Sequence, residues 1–163
     1  MRSHGLRHRL EYTGLRMAGG VFSRLPLPTA LALAWLLARI AFHLLRFRRR
    51  ETLHRIHQVF PHSTARERRC IAWLSLRNLC FNAVETMRAG RYGSDWMRCH
   101  VANHDECMQF VREQIALHGG VILAVPHLGN WDLAGLAANL AGIRVFSVAG
   151  VQRNRLVNDW INR

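Results

Sequence analysis

GGVILAVPHLGNWDLAG, residues 119–135, is the stretch on which the reading of the fold turns. Two glycines precede a continuous apolar run at residues 121–125. Pro126 and His127 end the run, Gly129-Asn130 forms a turn signal, and an amphipathic segment follows to Leu140 and Gly142. A short apolar run bounded by glycine and proline predicts a strand buried on both faces. The segment after it predicts a helix over residues 131–140, with Asn130 placed to cap it.

The flanking sequence repeats the alternation. Residues 98–102 suit a short strand. Residues 105–117 suit a helix whose Cys107, Phe110, Val111, Gln114 and Ile115 would face a sheet, with Gly119 as its C-cap. IRVFSV, residues 143–148, predicts another buried strand, and residues 154–163 begin a further helix. Alternating strands and helices imply a parallel sheet. The fold class expected is therefore α/β: N-terminal helices including a membrane-associated helix, then a partial parallel β-α-β sheet. About three strands is small for this architecture, and the last helix reaches Arg163 without a cap. A longer protein is expected, of which this chain carries the N-terminal portion.

The first half reads differently. Residues 1–24 carry Arg2, Arg7, Arg9, Arg16 and Arg24, and Pro26 and Pro28 mark a start. TALALAWLLARIAFHLL, residues 29–45, is apolar apart from Arg39 and His43. As a helix it would span about 25 Å, slightly short of the roughly 30 Å hydrocarbon core. Arg46, Arg48, Arg49 and Arg50 follow it instead of a small-residue cleavage site, which argues against a signal peptide. A membrane anchor, an interfacial helix and a buried core helix remain open. Residues 51–60 have helical spacing and stop at Pro61. Thr64 and Glu67 fit a capping box, opening a helix to about residue 89 with Ile71, Leu74, Leu79, Phe81, Val84 and Met87 on its buried side. Three segments result: a basic N-terminus with a membrane-anchor or interfacial helix (1–50), a helical segment (51–97) and an incomplete α/β domain (98–163).

The chain has 163 residues, half of them hydrophobic, and a formal charge of +13 with a pI near 11.6. This excludes a disordered chain and implies an anionic partner. No helix-turn-helix, zinc-finger or RNA-binding signature is present. Arginines beside an apolar helix favour anionic membrane lipids over nucleic acid, at roughly 1 kcal/mol per arginine near the surface. Cys70, Cys80, Cys99 and Cys107 form no C-x-x-C pair and read as reduced thiols. Cys99, His100, His104 and Cys107 crowd together, but four soft ligands within nine residues rarely wrap one zinc. They read as two half-buried thiols and two surface histidines, with no metal.

Chemistry is sought at His127 and Asp132. An H-x-x-x-x-D spacing alone is weak, and the chain contains it twice, since His100 and Asp105 match it too. Context separates them. His127 stands where a buried strand would end and a helix begin, the usual place for chemistry in open α/β sheets. Asp132 falls in the first turn of the predicted helix, where negative charge is favoured. A carboxylate there can hold an imidazole in the tautomer that accepts a proton. A strand-end histidine that hydrogen-bonds a loop is the alternative. His100 and Asp105 lack this setting and read as surface.

The block at residues 119–135 closely resembles the central motif of the bacterial lipid A biosynthesis acyltransferase family, a branch of the wider glycerolipid acyltransferases. Three further blocks are similar: the arginine-rich segment ending in HQVFP, VANHDECMQFVREQIALHGG, and QRNRLVNDWINR. Arg55-Ile56 and Gln152-Arg153 depart from common family residues. The resemblance implies an acyltransferase in which His127 is general base and Asp132 orients it. It implies substrate-binding roles for Gly129, Asn130, Asn154 and Arg163. No cofactor is implied; the co-substrate would be an acyl thioester of acyl carrier protein or coenzyme A. The acceptor would be a lipid A precursor or a related glycolipid or lysophospholipid, at the cytoplasmic face of the bacterial inner membrane. A non-catalytic membrane-surface binding fragment of the same fold is the competing reading.

Overall fold

The computed structural model describes residues 5–126, 129–148 and 150–161. Among these, eight α-helices are present: α1 (Leu6–Arg24), α2 (Leu27–Arg39), α3 (Arg49–Val59), α4 (Ala65–Met87), α5 (Ser94–His100), α6 (His104–His118), α7 (Trp131–Leu140) and α8 (Arg155–Ile161). A π-helical turn, Ile40–Leu44, continues α2, and a 3-10 turn, Ala89–Arg91, follows α4.

The central helix is α4. It starts as its sequence predicts. Thr64 Oγ1 accepts from the Glu67 backbone N–H at 3.2 Å, and the Glu67 carboxylate accepts from the Thr64 N–H at 2.7 Å. Both halves of the capping box are thus made, satisfying two N–H groups that a helix start would otherwise leave to solvent. α2 packs on α4, and Ala30, Ala34 and Ala38 of α2 with Phe42 of the π-helical turn are buried, spaced by four. That spacing aligns one narrow stripe, and alanine lets two helices approach closely. Phe22, Ala30, Ala34 and Val84 form the buried cluster where α1, α2 and α4 meet. Leu74 and Leu79, expected on the buried side of α4, are instead exposed.

The rest of α2 is not covered. Trp35, Leu36, Leu37, Ile40 and Leu44 are exposed. Leu27–Leu44 is one helical stretch of 18 residues with mean hydropathy 1.6, long and apolar enough to cross a membrane.

Residues 6–24, basic but without a regular apolar pattern, form α1. Its C-terminal carbonyls are closed by arginines just beyond the end of α4. Arg88 Nη1 donates to Phe22 O at 2.7 Å and also to Leu25 O, and Arg91 Nη1 donates to Ser23 O at 2.6 Å. Cations there meet both the orphan carbonyls and the negative end of the helix dipole. Arg88 is buried in doing so.

A second cluster, Tyr92, Met97 and Ala137, joins α5 to α7, with Trp96, Val101, Met108, Leu133, Leu136 and Leu140 around it. Tyr92, Trp96 and His100 stack in sequence, with centroid separations of 3.9 and 4.1 Å.

The expected parallel sheet is corrected by the structure: no strand occurs among the described residues, which are dominantly helical. Residues 98–102 are the end of α5 and the turn after it. Residues 121–126 and 143–148 are extended or irregular chain without strand pairing. A strand buried on both faces needs neighbours on its edges and layers above and below. Here Ile122 is 100% and Phe146 92% exposed. An apolar run reports composition and length; it does not contain the partner that would make it a strand. The α6 face expected against that sheet is open accordingly, with Cys107 and Phe110 exposed.

Candidate active site

The turn at residues 129–133 is held by the last turns of α4. Gly129 has φ +69°, a left-handed conformation that suits glycine. Its carbonyl accepts from Asn82 Nδ2 at 2.7 Å. Asn130 then caps α7: its Oδ1 accepts from the Leu133 N–H at 3.3 Å. Asn130 Nδ2 reaches back to α4, donating to the Glu85 carboxylate at 2.9 Å and to Asn82 O at 3.4 Å. One residue later in α4, Thr86 Oγ1 donates to Asp132 Oδ2 at 3.2 Å.

Asn82, Glu85 and Thr86 thus act together on Gly129, Asn130 and Asp132. Their spacing of i, i+3 and i+4 puts them on one face of α4. The sequence reading passed over them. The signal was a polar triplet interrupting the apolar side of a long helix. Asp132 lies in the first turn of α7, as expected, is exposed, and meets the positive end of the helix dipole.

The far end of α7 is also tied. Ser94 Oγ donates to Leu140 O at 3.3 Å, and Arg112 Nη2 to Ala141 O at 2.7 Å. Gly142 follows at φ +81°. The short helix bearing Asp132 is fixed at both ends, which restricts the directions its carboxylate can take.

His127 and Arg163, the other two residues singled out for chemistry, lie outside the described residues. Asn154 does not join the turn. It is buried where α8 meets α1, and its Nδ2 donates to His8 O at 2.9 Å and to the Glu11 carboxylate at 3.1 Å. Its Oδ1 accepts from the Leu156 N–H at 3.1 Å. Hydrogen bonds from Arg7 and then Asn154 hold the Glu11 carboxyl below its ordinary range. Trp160 packs edge-on against Tyr12 in the same junction, with centroids 6.5 Å apart.

The second H-x-x-x-x-D pair is not assembled as a dyad. His100 is exposed and stacks on Trp96. Asp105 pairs with His104 Nδ1 at 2.8 Å and with Arg98 Nε at 3.4 Å. The hydrogen bond to His104 is the main cause that holds the Asp105 carboxyl low. His104 is buried, whereas a surface position was expected, and Cys99 and Cys107 are exposed instead of half-buried. No group of three or more His, Cys, Asp or Glu side chains suited to a metal occurs among the described residues.

The arrangement presents a carboxylate held in direction at the start of α7, beside a turn pinned by α4. Comparison with known proteins bears on what that serves. A family model described as bacterial lipid A biosynthesis acyltransferase matches residues 6–163. Neither the curated proteins nor the solved structures give a match to this chain.

Proposed function

The chain belongs to the bacterial lipid A biosynthesis acyltransferase family, and from that membership we propose that it transfers a fatty acyl group from an acyl thioester to a hydroxyl of a lipid A precursor or related glycolipid. The observation that carries the reading is the pinned turn. Gly129, Asn130 and Asp132 are each held by a different side chain of α4, in the block that resembles the family's central motif.

In the proposed step His127 takes the proton from the acceptor hydroxyl as its oxygen attacks the thioester carbonyl. Asp132 orients the imidazole and stabilises the imidazolium that forms. The carbonyl oxygen gains negative charge in the tetrahedral state, and backbone N–H groups at the 129–131 turn would stabilise it. Collapse breaks the C–S bond. The imidazolium returns its proton to the departing thiolate, giving an ester and a free thiol. No enzyme-bound acyl intermediate is required. The thioester's carrier, acyl carrier protein or coenzyme A, is acidic, which the charge of +13 complements.

The acceptor is a lipid, so the reaction belongs at a bilayer surface. The apolar stretch Leu27–Leu44 and the arginines after it support association with anionic lipids at the cytoplasmic face of the bacterial inner membrane. The test is transfer of labelled acyl chain from acyl carrier protein or coenzyme A into a base-labile ester on the lipid acceptor. Equimolar release of thiol is expected. No labelled lipid ester with either carrier would contradict the proposal, even if the protein still bound the acceptor.

A further inference from the structure

A cleft of about 330 Å³ opens between the π-helical turn, α3 and α4. Its volume is near the lower end of ligand clefts, about 300–1,000 Å³. It lies nearer the N-terminal end of α4 than the 129–133 turn, ending at Leu79, one turn before Asn82, and shares no residue with that turn. The floor is apolar: Phe42, Ala72, Leu76 and Leu79. The rim is cationic: Arg48, Arg49 and Arg55, against the single carboxylate of Glu51.

The rim is organised. Glu51 Oε2 accepts from Arg48 Nε and Nη2 at 3.1 and 2.7 Å, and Glu51 Oε1 accepts from Arg55 Nη2 at 2.6 Å. Each guanidinium has five N–H donors, so these bonds orient the two arginines and leave donors over. The Arg49 guanidinium lies 5.1 Å from the Phe42 ring centroid, where floor and rim meet. Three arginines against one carboxylate leave the rim positive. The first turn of α3 adds the positive end of a helix dipole.

Two backbone positions point the same way. Arg46 and Arg48 have φ of +51° and +48°, although neither is glycine. The left-handed conformation is strained for a residue that bears a side chain. Such positions cluster at ligand sites. The turn also follows directly on Leu27–Leu44, the stretch long enough to cross a membrane, so the rim stands where headgroups would be.

We propose that this cleft is a binding site for one anionic phospholipid, with the phosphate among Arg48, Arg49 and Arg55 and an acyl chain along Phe42, Leu76 and Leu79. This is a discrete, stoichiometric site, as distinct from diffuse attraction between a basic surface and a bilayer. It does not depend on the acyl-transfer reading, since the cleft and the turn use different residues.

The test uses the detergent-solubilised chain and monomeric short-chain lipids, with affinity measured by calorimetry. Dihexanoyl-phosphatidylglycerol should bind one to one. Dihexanoyl-phosphatidylcholine, whose net charge is zero, and glycerol 3-phosphate, which lacks a tail, should each bind at least tenfold more weakly. Arg49→Gln/Arg55→Gln should weaken phosphatidylglycerol binding at least tenfold, and Leu79→Asn, at an exposed position, should weaken it several-fold. Equal affinity for the two phospholipids would overturn the proposal. So would glycerol 3-phosphate binding as tightly as the lipid, which would mark a simple phosphate site. Unchanged affinity in both variants would overturn it as well. The comparison among the three ligands needs no variant, so it stands even if the double substitution impairs folding.

Discussion

Thr86 Oγ1 donates a hydrogen bond to Asp132 Oδ2 at 3.2 Å, from the last turn of a 23-residue helix to the first turn of a 10-residue one. The bond joins residues 46 apart in sequence, and fixes the direction of the carboxylate assigned to orient His127. Thr86→Val keeps the shape and removes the donor. One charge-assisted hydrogen bond at an exposed site contributes about 1 kcal/mol. The variant should lose roughly three- to tenfold in kcat with KM nearly unchanged, and Thr86→Ser should restore it. An equal loss in Thr86→Ser, or a change confined to KM, would remove Thr86 from this role.

Asn130 does two things at once, capping α7 and linking it to Glu85 and Asn82. Asn130→Ala should destabilise by about 1–2 kcal/mol, the upper part of the range for a lost N-cap. Gly129→Ala should cost about 1–2 kcal/mol for a different reason, since its φ of +69° is strained for alanine. Urea unfolding midpoints distinguish these variants from Gly135→Ala. Gly135 lies inside α7, where an added Cβ meets nothing within 4 Å and alanine is the better helix former, so that midpoint should not fall.

Arg88 is a buried cation whose partners are the carbonyls closing α1. Arg88→Met preserves bulk and leaves Phe22 O and Leu25 O without that donor. A loss of about 1.5–3 kcal/mol is expected, the range for hydrogen bonds to charged groups. The fall in melting temperature should exceed that of Arg50→Met, at an exposed arginine of α3.

Acid should weaken the fold through identifiable carboxylates. Glu67 is held below its ordinary value of 4.5 chiefly by the Thr64 backbone N–H, and Glu51 chiefly by its hydrogen bond from Arg48. A carboxyl depressed in the folded state binds its proton more weakly there than in the unfolded chain. Its contribution is therefore complete above pH 4.5 and is lost as pH falls through the lower folded value. Melting temperature should be flat from pH 7 to about 5 with respect to these groups and decline below. Glu67→Gln should flatten part of that decline. Both side chains are well exposed, so added salt should shrink the Glu51 part most, because it depends on ion pairs.

Local chemistry was legible in the sequence where the causes are local. Thr64 and Glu67 announced the start of α4, Gly119 and Gly142 the ends of α6 and α7, and residues 131–140 form α7 as expected. Asn130 was recognised as its cap from its position after Gly129. What depended on distant partners was not legible. Residues 121–125 have strand composition, yet strandedness is a property of a pair, and no paired strand is found among the described residues. Asn154 was assigned to substrate by resemblance, while its hydrogen bonds run to His8 and Glu11 on α1, some 140 residues away. Thr86 was invisible for the same reason: a threonine in a long helix carries no mark of the aspartate it will meet.

The central claim is general-base catalysis of acyl transfer at the motif held by α4. It is tested most directly by the rate of labelled acyl transfer from a thioester donor to the lipid acceptor, compared between the unaltered chain and His127→Ala. Loss of a positioned general base should lower that rate by about 10²- to 10⁴-fold, while binding of the lipid acceptor is kept. Transfer by His127→Ala at the unaltered rate would contradict the account.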